Sequence, residues 1–336
     1  MPLRLTHSLL RRLQLAAPST AAVALTCAIA FASALTSPVH AQSAYPQRPV
    51  QVIVGFPAGG SVDVMARNLV TAINAQLGGS FVVVNRDGSS GTIGFGQVAA
   101  APPDGYLLGA GPTTPMSIAP HLIKNIKFNV DSFEYICQSF ENVFTIAVPI
   151  DSPFRSVADI IAAARANPGK LSYGHSGVGT VPHFSIANLV HRSNLNVAAI
   201  PYRGETGMLP DLIAGRLDFG GPSVALALGQ RVRVLAVFAD GRHPAFPDAP
   251  TFAELGMPSM PPGLNGLFAP KGTPKEVLAA LERACEQAVQ TEAFKTAAQK
   301  LSARVVYLNG AAFAERAQTD YKYKGELIKV LDIRID

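Results

Sequence analysis

Residues 50–61 read VQVIVGFPAGGS. The first half of this stretch is β-branched and apolar, which is typical of a buried parallel strand. The second half is a glycine-rich turn, after which Val62, Met65 and Leu69 recur at helical spacing until Gly78 ends the helix. The stretch therefore predicts a strand that passes through a tight turn directly into a helix.

The same alternation of strands and helices continues along the chain. Residues 81–84 and 106–108 predict two more strands with a helix between them, and a second series of short strands and helices begins near Thr145. Residues 246–262 are rich in proline and read as a return crossing before the C-terminal helices. This order predicts an α/β protein with two lobes, each a doubly wound, mostly parallel sheet flanked by helices, and a cleft between the lobes.

We place lobe 1 at residues 42–143 and 262–336 and lobe 2 at residues 144–261, so that the chain crosses the hinge twice. Such lobes close on a ligand by rotation about a few linker residues.

The first 41 residues predict an export signal. Arginines come first, an apolar uncharged run extends from about Thr20 to Leu35, and Val39 and Ala41 occupy the positions that signal peptidase reads. The run is shorter than the ~20 residues of a membrane-spanning helix. We predict a Sec-type signal that is cleaved after Ala41 and a periplasmic protein; a lipid anchor at Cys27 and twin-arginine export are the alternatives.

Composition argues against several classes of function. The signal holds three arginines and no acid, so its removal lowers the formal net charge from +5 to +2, and no dense Lys/Arg stripe remains. Nucleic acid is therefore not an expected partner. Cys137 and Cys285 either form a disulfide or stay as buried thiols, and their spacing does not separate the two interpretations. No metal-binding spacing accompanies them, and no metal or cofactor is expected.

The turn at residues 55–61 is the first candidate site. Its glycines let the backbone approach a ligand, and the start of the following helix offers free N–H groups and partial positive charge. Ser61 stands where a P-loop has its lysine, so a nucleoside triphosphate is poorly held and an anion of carboxylate size fits better. The alternative is a tight turn with Ser61 as N-cap. Asp63 is explained by the helix dipole alone.

Residues 176–180, SGVGT, form a similar neutral turn between a strand and a helix in the second series. Ser176 lacks one glycine of the nucleophile elbow because Val178 fills its place, so no catalytic residue is expected. His183 near the helix start fits a packed or capping role better than a ligand contact. Arg203, after the next strand, faces either an anion or solvent.

Together these motifs resemble the Bug family, the extracytoplasmic receptors of tripartite tricarboxylate transporters. The resemblance covers the whole mature chain and rests on the order and spacing of the motifs. These are YPQRP at 45–49, FPAGGSVD at 56–63, NR at 85–86, PDGY at 103–106, ANPGKL at 166–171, SGVGT at 176–180, PYRG at 201–204, FPDAPT at 246–251 and GLFAPKGTP at 266–274.

The resemblance implies a periplasmic-binding-protein fold of type II-like architecture. It also implies a small ligand, usually a carboxylate, that is held by backbone amides, hydroxyls and waters and not by an arginine. Matched by position, the ligand-binding residues would be Phe56, Ala58, Gly59, Gly60, Ser61, Asp63, Ser176, Gly177, Gly179, Thr180 and His183. Further candidates are Thr113, Thr114, Tyr202 and Arg203.

The sequence departs from the family pattern at three places. Residues 87–90 read DGSS where the family continues with proline and two glycines, and Leu264 stands where a tryptophan is expected. The segment at 218–222, DFGGP, looks shortened and lacks the aspartate often found directly before that proline. The missing aspartate favours a simple carboxylate over an amine-bearing one.

We therefore expect a monomeric receptor, without a cofactor, that captures a small carboxylate and delivers it to the membrane components of a tripartite transporter. A receptor that signals to a sensor kinase is one alternative, and an enzyme on the same fold is another. The sequence shows no general base, metal cluster or cofactor motif, which favours binding over catalysis.

Overall fold

The computed structural model describes residues 45–239, 241–257 and 262–331. The predicted signal and its cleavage site lie outside the described residues. In chain order the strands are β1 Val50–Val54, β2 Phe81–Asn85, β3 Leu107–Pro112, β4 Phe133–Asn142, β5 Thr145–Pro149, β6 Ser172–His175, β7 Ala198–Pro201, β8 Phe219–Gly220, β9 Val232–Val237, β10 Gly263–Pro270 and β11 Arg304–Asn309.

The helices alternate with these strands. In chain order they are α1 Ser61–Leu77, α2 Thr92–Ala99, α3 Thr114–Leu122, α4 Val157–Ala166, α5 Val181–Arg192, α6 Glu205–Ile213, α7 Val224–Ala227, α8 Lys275–Gln290, α9 Glu292–Lys300 and α10 Gly310–Leu331. Short 3₁₀ turns lie at Ser89–Gly91 and Val130–Ser132. Within the described ranges, no helix combines the length and the apolar character needed to cross a lipid bilayer.

The strands form two sheets. The first has the order β11-β4-β10-β3-β1-β2 and the second the order β7-β6-β8-β5-β9. This arrangement confirms the predicted α/β fold with two helix-flanked sheets.

The expectation of mostly parallel sheets needs correction, because both sheets are mixed. In the first sheet β1 pairs in parallel with β2 and β3, whereas β10 runs antiparallel to β3 and β4, and β11 antiparallel to β4. In the second sheet β6 pairs in parallel with β7 and β8, and β5 runs antiparallel to β8 and β9. The cause is the path of the chain, since β4 leads out of the first sheet and β10 returns into it in the opposite direction.

Both faces of the first sheet are covered, which explains the unbroken apolar run in β1. Val52 and Val54 pack with α1 and α8 on one face, and Ile53 packs with α2 and α10 on the other. The second sheet repeats this scheme, with α4 and α5 on one face and α6 on the other.

A disulfide joins Cys137 on β4 to Cys285 on α8. Both cysteines are fully buried in the core of the first sheet. The pairing that the sequence left open is therefore present, and it fixes α8 to β4, the strand next to the edge of the sheet.

An ion cluster around one buried carboxylate ties the same strand to the C-terminal part of the chain. The carboxylate of Glu141 on β4 pairs with Arg304 on β11 and with Arg316 on α10, at 2.6 Å from Arg316 Nη1. Glu141 is fully buried, so its charge depends on these two guanidinium groups.

Candidate ligand-binding site

A cleft lies where the ends of β1 and β3 face the ends of β6 and β7. It contains a large cavity of about 310 Å³ and a small cavity of about 60 Å³. Both cavities are lined by Phe56, Pro57 and Thr114 from the first sheet and by Ser176 and Gly204 from the second. Ligands of open α/β sheets bind at the carboxyl ends of the strands, so this cleft is the candidate site.

The first-sheet loop, residues 55–60, joins β1 to α1. Gly59 lies in the left-handed region with φ 81°, where a side chain would be strained. Its N–H donates to Asp63 Oδ2 at 3.0 Å, and the carbonyl of Phe56 accepts from Asn85 Nδ2 at 3.0 Å. The side chains of Asp63 and Asn85 thus hold the conformation of the turn.

Asp63 is the centre of this support. Its carboxylate also accepts from Arg67 Nε at 3.0 Å and from Asn85 Nδ2 at 2.8 Å. Burial alone would raise the pKa of Asp63, but the hydrogen bonds from Arg67, the Gly59 amide and Asn85 outweigh it and hold that pKa below its ordinary value. Asp63 is 2% exposed and lines neither cavity, so its place in the structure is that of a positioning residue.

The second-sheet loop, residues 176–180, is supported by two histidines. The Gly177 N–H donates to His175 Nδ1 at 3.3 Å, and the Gly179 N–H donates to His183 Nδ1 at 3.2 Å. Thr180 Oγ1 donates to the Gly177 carbonyl at 2.7 Å. Since these amides and this hydroxyl are used within the protein, the groups of the loop left to face a ligand are the Ser176 hydroxyl and the backbone at Val178.

The two imidazoles are neutral in this arrangement. Each Nδ1 accepts a hydrogen bond, so the proton of each ring is on Nε2. Burial lowers the pKa of His175 to about 4, and burial together with the nearby His175 lowers the pKa of His183 to about 3. The ring centroids are 4.3 Å apart. His183 lines neither cavity, in agreement with the packed role that its sequence position favoured.

The remaining predicted residues divide between the two cavities. Gly60, Ser61 and Thr180 line the small cavity. Gly177, Gly179, Tyr202 and Arg203 line the large one, and Thr114 lines both. Ala58 and Gly59 are exposed at the turn and, like the buried Thr113, line neither cavity.

The loops of the two sheets touch each other across the cleft. Ser61 Oγ donates to Glu205 Oε1 at 2.9 Å, which links α1 to α6. A Cβ on Gly177 would lie 2.5 Å from Ser90 Oγ, and Gly177 itself has φ 127°. This close approach is the structural reason for a glycine at position 177.

Among the residues of the small cavity that sequence reasoning missed are Asn142, Glu205 and Asn265. Asn142 Nδ2 donates to Ser61 Oγ at 3.2 Å. Two of them carry a local signal, because Glu205 directly follows the PYRG motif at a helix start and Asn265 interrupts an apolar strand. Nothing local distinguishes Asn142, which reaches the cleft only because β4 and β10 are paired.

Helix starts surround the small cavity. First-turn residues of α1, α3, α5 and α6 all line it: Ser61 and Val62, Thr114, Val181, and Glu205 and Thr206. Helix N-termini carry free N–H groups and partial positive charge, and the carboxylate of Glu205 lies among them. In the described part of the chain, no three His, Cys, Asp or Glu side chains are grouped so as to hold a metal ion.

The family model of the tripartite tricarboxylate transporter family receptor matches residues 65–333. The chain belongs to this receptor family. The match confirms the resemblance seen in the sequence motifs, and its description is that of a receptor and not of an enzyme.

Individual relatives of the receptor agree with the family match. A UPF0065 protein from the tcbD–tcbE intergenic region of Pseudomonas sp. strain P51 is 37% identical over 263 residues, which are 76% of this chain and 78% of the relative. The periplasmic binding protein BugD is 31% identical with a TM-score of 0.80, covering 86% of this chain and 99% of BugD. Rpa4515 of R. palustris, solved with adipate, is 27% identical with a TM-score of 0.79, covering 86% and 99%.

Proposed function

We propose that this receptor captures a small carboxylate in the periplasm, in the cleft between its two sheets, and delivers it to the membrane components of a tripartite transporter. The observation that carries the proposal is the convergence of two neutral loops and of the starts of α2 and α3 on a large cavity shared by both sheets. A carboxylate placed in that cavity meets hydroxyls and the positive ends of two helix dipoles.

The comparisons support the carboxylate class. Rpa4515 of R. palustris was solved with adipate, and its similarity extends over 86% of this chain. We propose that the ligand carboxylate lies in the large cavity, with the hydroxyls of Ser176 and Thr114 and the backbone at Val178 as its partners.

The proposal includes hinged lobes at residues 42–143 with 262–336 and at 144–261. It also includes a monomeric mature protein that begins at Gln42 after removal of the signal. Intact-mass measurement of exported protein tests the cleavage, and retention of residues 1–41 would contradict it.

We propose no catalytic step at this site. His175 and His183 are the histidines nearest in sequence to Ser176, and each ring accepts a loop amide at Nδ1. Neither Nδ1 is therefore free to act as a general base on the Ser176 hydroxyl.

A thermal-shift screen on ligand-stripped protein tests the carboxylate class. The panel holds mono- and dicarboxylates together with the matching primary amides, which keep shape and lose charge. A ligand at 100 times its Kd stabilises the folded state by about 2.7 kcal/mol, which gives a clear rise in Tm. We expect carboxylates to raise Tm and their amides to leave it unchanged. Equal shifts from both classes, or none from any carboxylate, would contradict the proposal.

A further inference from the structure

Glu205 places a negative charge inside the small cavity. It is 8% exposed and receives two hydrogen bonds, from Ser61 Oγ at 2.9 Å and from the Ser223 N–H at 2.7 Å. A carboxylate has about four lone-pair sites for hydrogen bonds, so roughly half of its capacity is left for a partner in the cavity.

Glu205 differs from the other buried acids of the described chain in having no cation. Each of the others forms a salt bridge: Asp63 with Arg67, Glu141 with Arg304 and Arg316, and Asp320 with Lys324. Among the described residues Glu205 forms none. The helix N-termini around the small cavity offset part of this charge, and a counter-charge supplied from outside would offset the remainder.

An acidic residue can stabilise the start of a helix without being buried as Glu205 is. Asp159 in the first turn of α4 fills that role at the protein surface, where it accepts from the N–H groups of Arg155 and Ser156. The side chain of Glu205 instead reaches Ser61 on the opposite side of the cleft.

Asn265 adds a second unused acceptor to the same cavity. It is fully buried, and its Nδ2 donates to the Gly263 carbonyl at 2.7 Å, which fixes the orientation of the amide. Its Oδ1 is consequently the free end, and this atom has no hydrogen-bond partner within the described residues. The residues that line the small cavity thus include a carboxylate with unused acceptor capacity and an amide oxygen without a donor.

From this pair we infer that the carboxylate bound by the receptor also carries an ammonium group, which enters the small cavity and is received by Glu205 and Asn265. Glu205 is then the residue that sets specificity, since a second carboxylate in its place would meet a like charge. With about 60 Å³, against about 310 Å³ for its neighbour, the small cavity suits one head group and not a whole ligand. The inference rests on the proposed function, and it departs from the simple carboxylate expected from segment 218–222.

Isothermal titration with matched ligands tests it. Each set, of about four to six carbons, contains a dicarboxylate, its 2-amino derivative and the ω-amino monocarboxylate of equal length. We expect wild-type protein to bind an amino compound of one set at least about tenfold more tightly than the matching dicarboxylate, a difference of about 1.4 kcal/mol.

The variant Glu205→Gln should abolish or reverse that preference. Glutamine keeps the size of the side chain and can still accept from the Ser223 N–H while its amide donates to Ser61 Oγ, so the fold is retained. Glu134→Gln is the matched control, because it removes one negative charge from a carboxylate that pairs with Lys271 on the surface of the first sheet. The control should bind every compound as wild type does.

The outcomes separate the inference from the function beneath it. Binding of carboxylates with no preference for the amino compounds overturns the inference and leaves the proposed function standing. Equal weakening of all ligands by Glu205→Gln also overturns it, since Glu205 would then serve only as a bond between the loops. Failure of every carboxylate to bind contradicts the proposed function itself.

Discussion

Lowering the pH from about 7 to about 5 should destabilise the protein through His175 and His183. Both rings are buried, at 1% and 7% exposure, and both are neutral because each Nδ1 accepts a loop amide. Their folded-state pKa values, about 4 and about 3, lie below the ordinary value of 6.5. The unfolded chain therefore takes up protons in a pH range where the folded chain does not.

The sign and size of the change in stability follow from this difference between the folded and ordinary pKa values. The stabilisation is fully present above about pH 6.5 and is lost as the pH falls toward the folded pKa values. Each histidine costs about 1.4 kcal/mol per pH unit within that window. Between about pH 7 and about pH 5 this amounts to about 2 kcal/mol for each ring and about 4 kcal/mol for the pair.

Urea denaturation at several pH values measures the effect, and a double variant isolates it. In His175→Asn with His183→Asn, each amide oxygen can accept the same loop N–H, but neither side chain titrates. The variant loses a constant amount of stability from the smaller side chains, whereas its change between about pH 7 and about pH 5 should be about 4 kcal/mol smaller than that of wild type. Parallel pH profiles for the two proteins would refute the assignment of neutral, loop-supporting histidines.

Three further outcomes concern the supports of the site. Replacing both Cys137 and Cys285 by alanine opens a link between residues 148 apart and should lower the free energy of unfolding by up to about 5 kcal/mol, seen as a fall in Tm; free thiols titrated in unreduced wild-type protein would contradict it. Asp63→Asn should cost about 1–3 kcal/mol at neutral pH. The folded protein lowers the pKa of Asp63, so the stabilisation from its carboxylate is present above the ordinary pKa and is lost as the pH falls. The cost of the substitution should therefore shrink in acid, and a cost that does not change with pH would contradict the prediction. Glu141→Ala removes a buried carboxylate that accepts from Gln138 Nε2 and pairs with two partly exposed arginines, and it should cost about 1–3 kcal/mol in urea denaturation; an unchanged free energy of unfolding would contradict this role.

Local patterns were sufficient to predict the elements that are built from one continuous stretch. The helix predicted after Gly60 is observed as Ser61–Leu77, and the helix predicted after the turn at residues 176–180 is observed as Val181–Arg192. In both cases apolar spacing and a glycine or proline at the helix boundary carry the information locally. The two neutral loops were predicted for the same reason, since a short strand, a glycine turn and a helix start are contiguous.

Features that depend on long-range pairing were not predictable in this way. The antiparallel strand β10 and its neighbour β4 lie more than a hundred residues apart in the chain, and only their pairing brings Asn142 and Asn265 to the cleft. The support of Gly59 by Asp63 needs a side chain to turn back onto the preceding loop, whereas sequence reasoning assigned Asp63 a helix-dipole role and the family resemblance implied a ligand contact. Glu205 lay beside a recognised motif, but its burial became evident only once α1 and α6 faced each other.

In the proposed function, one ligand is held by both sheets at once. Thr114 follows β3 and Ser176 follows β6, and each lines both cavities. Titration calorimetry with the best carboxylate of the screen, on wild type, Thr114→Val and Ser176→Ala, measures the contribution of each side. We predict that each variant folds as wild type and loses about 1–3 kcal/mol of binding free energy. Wild-type affinity in both variants would contradict the placement of the ligand between the two sheets.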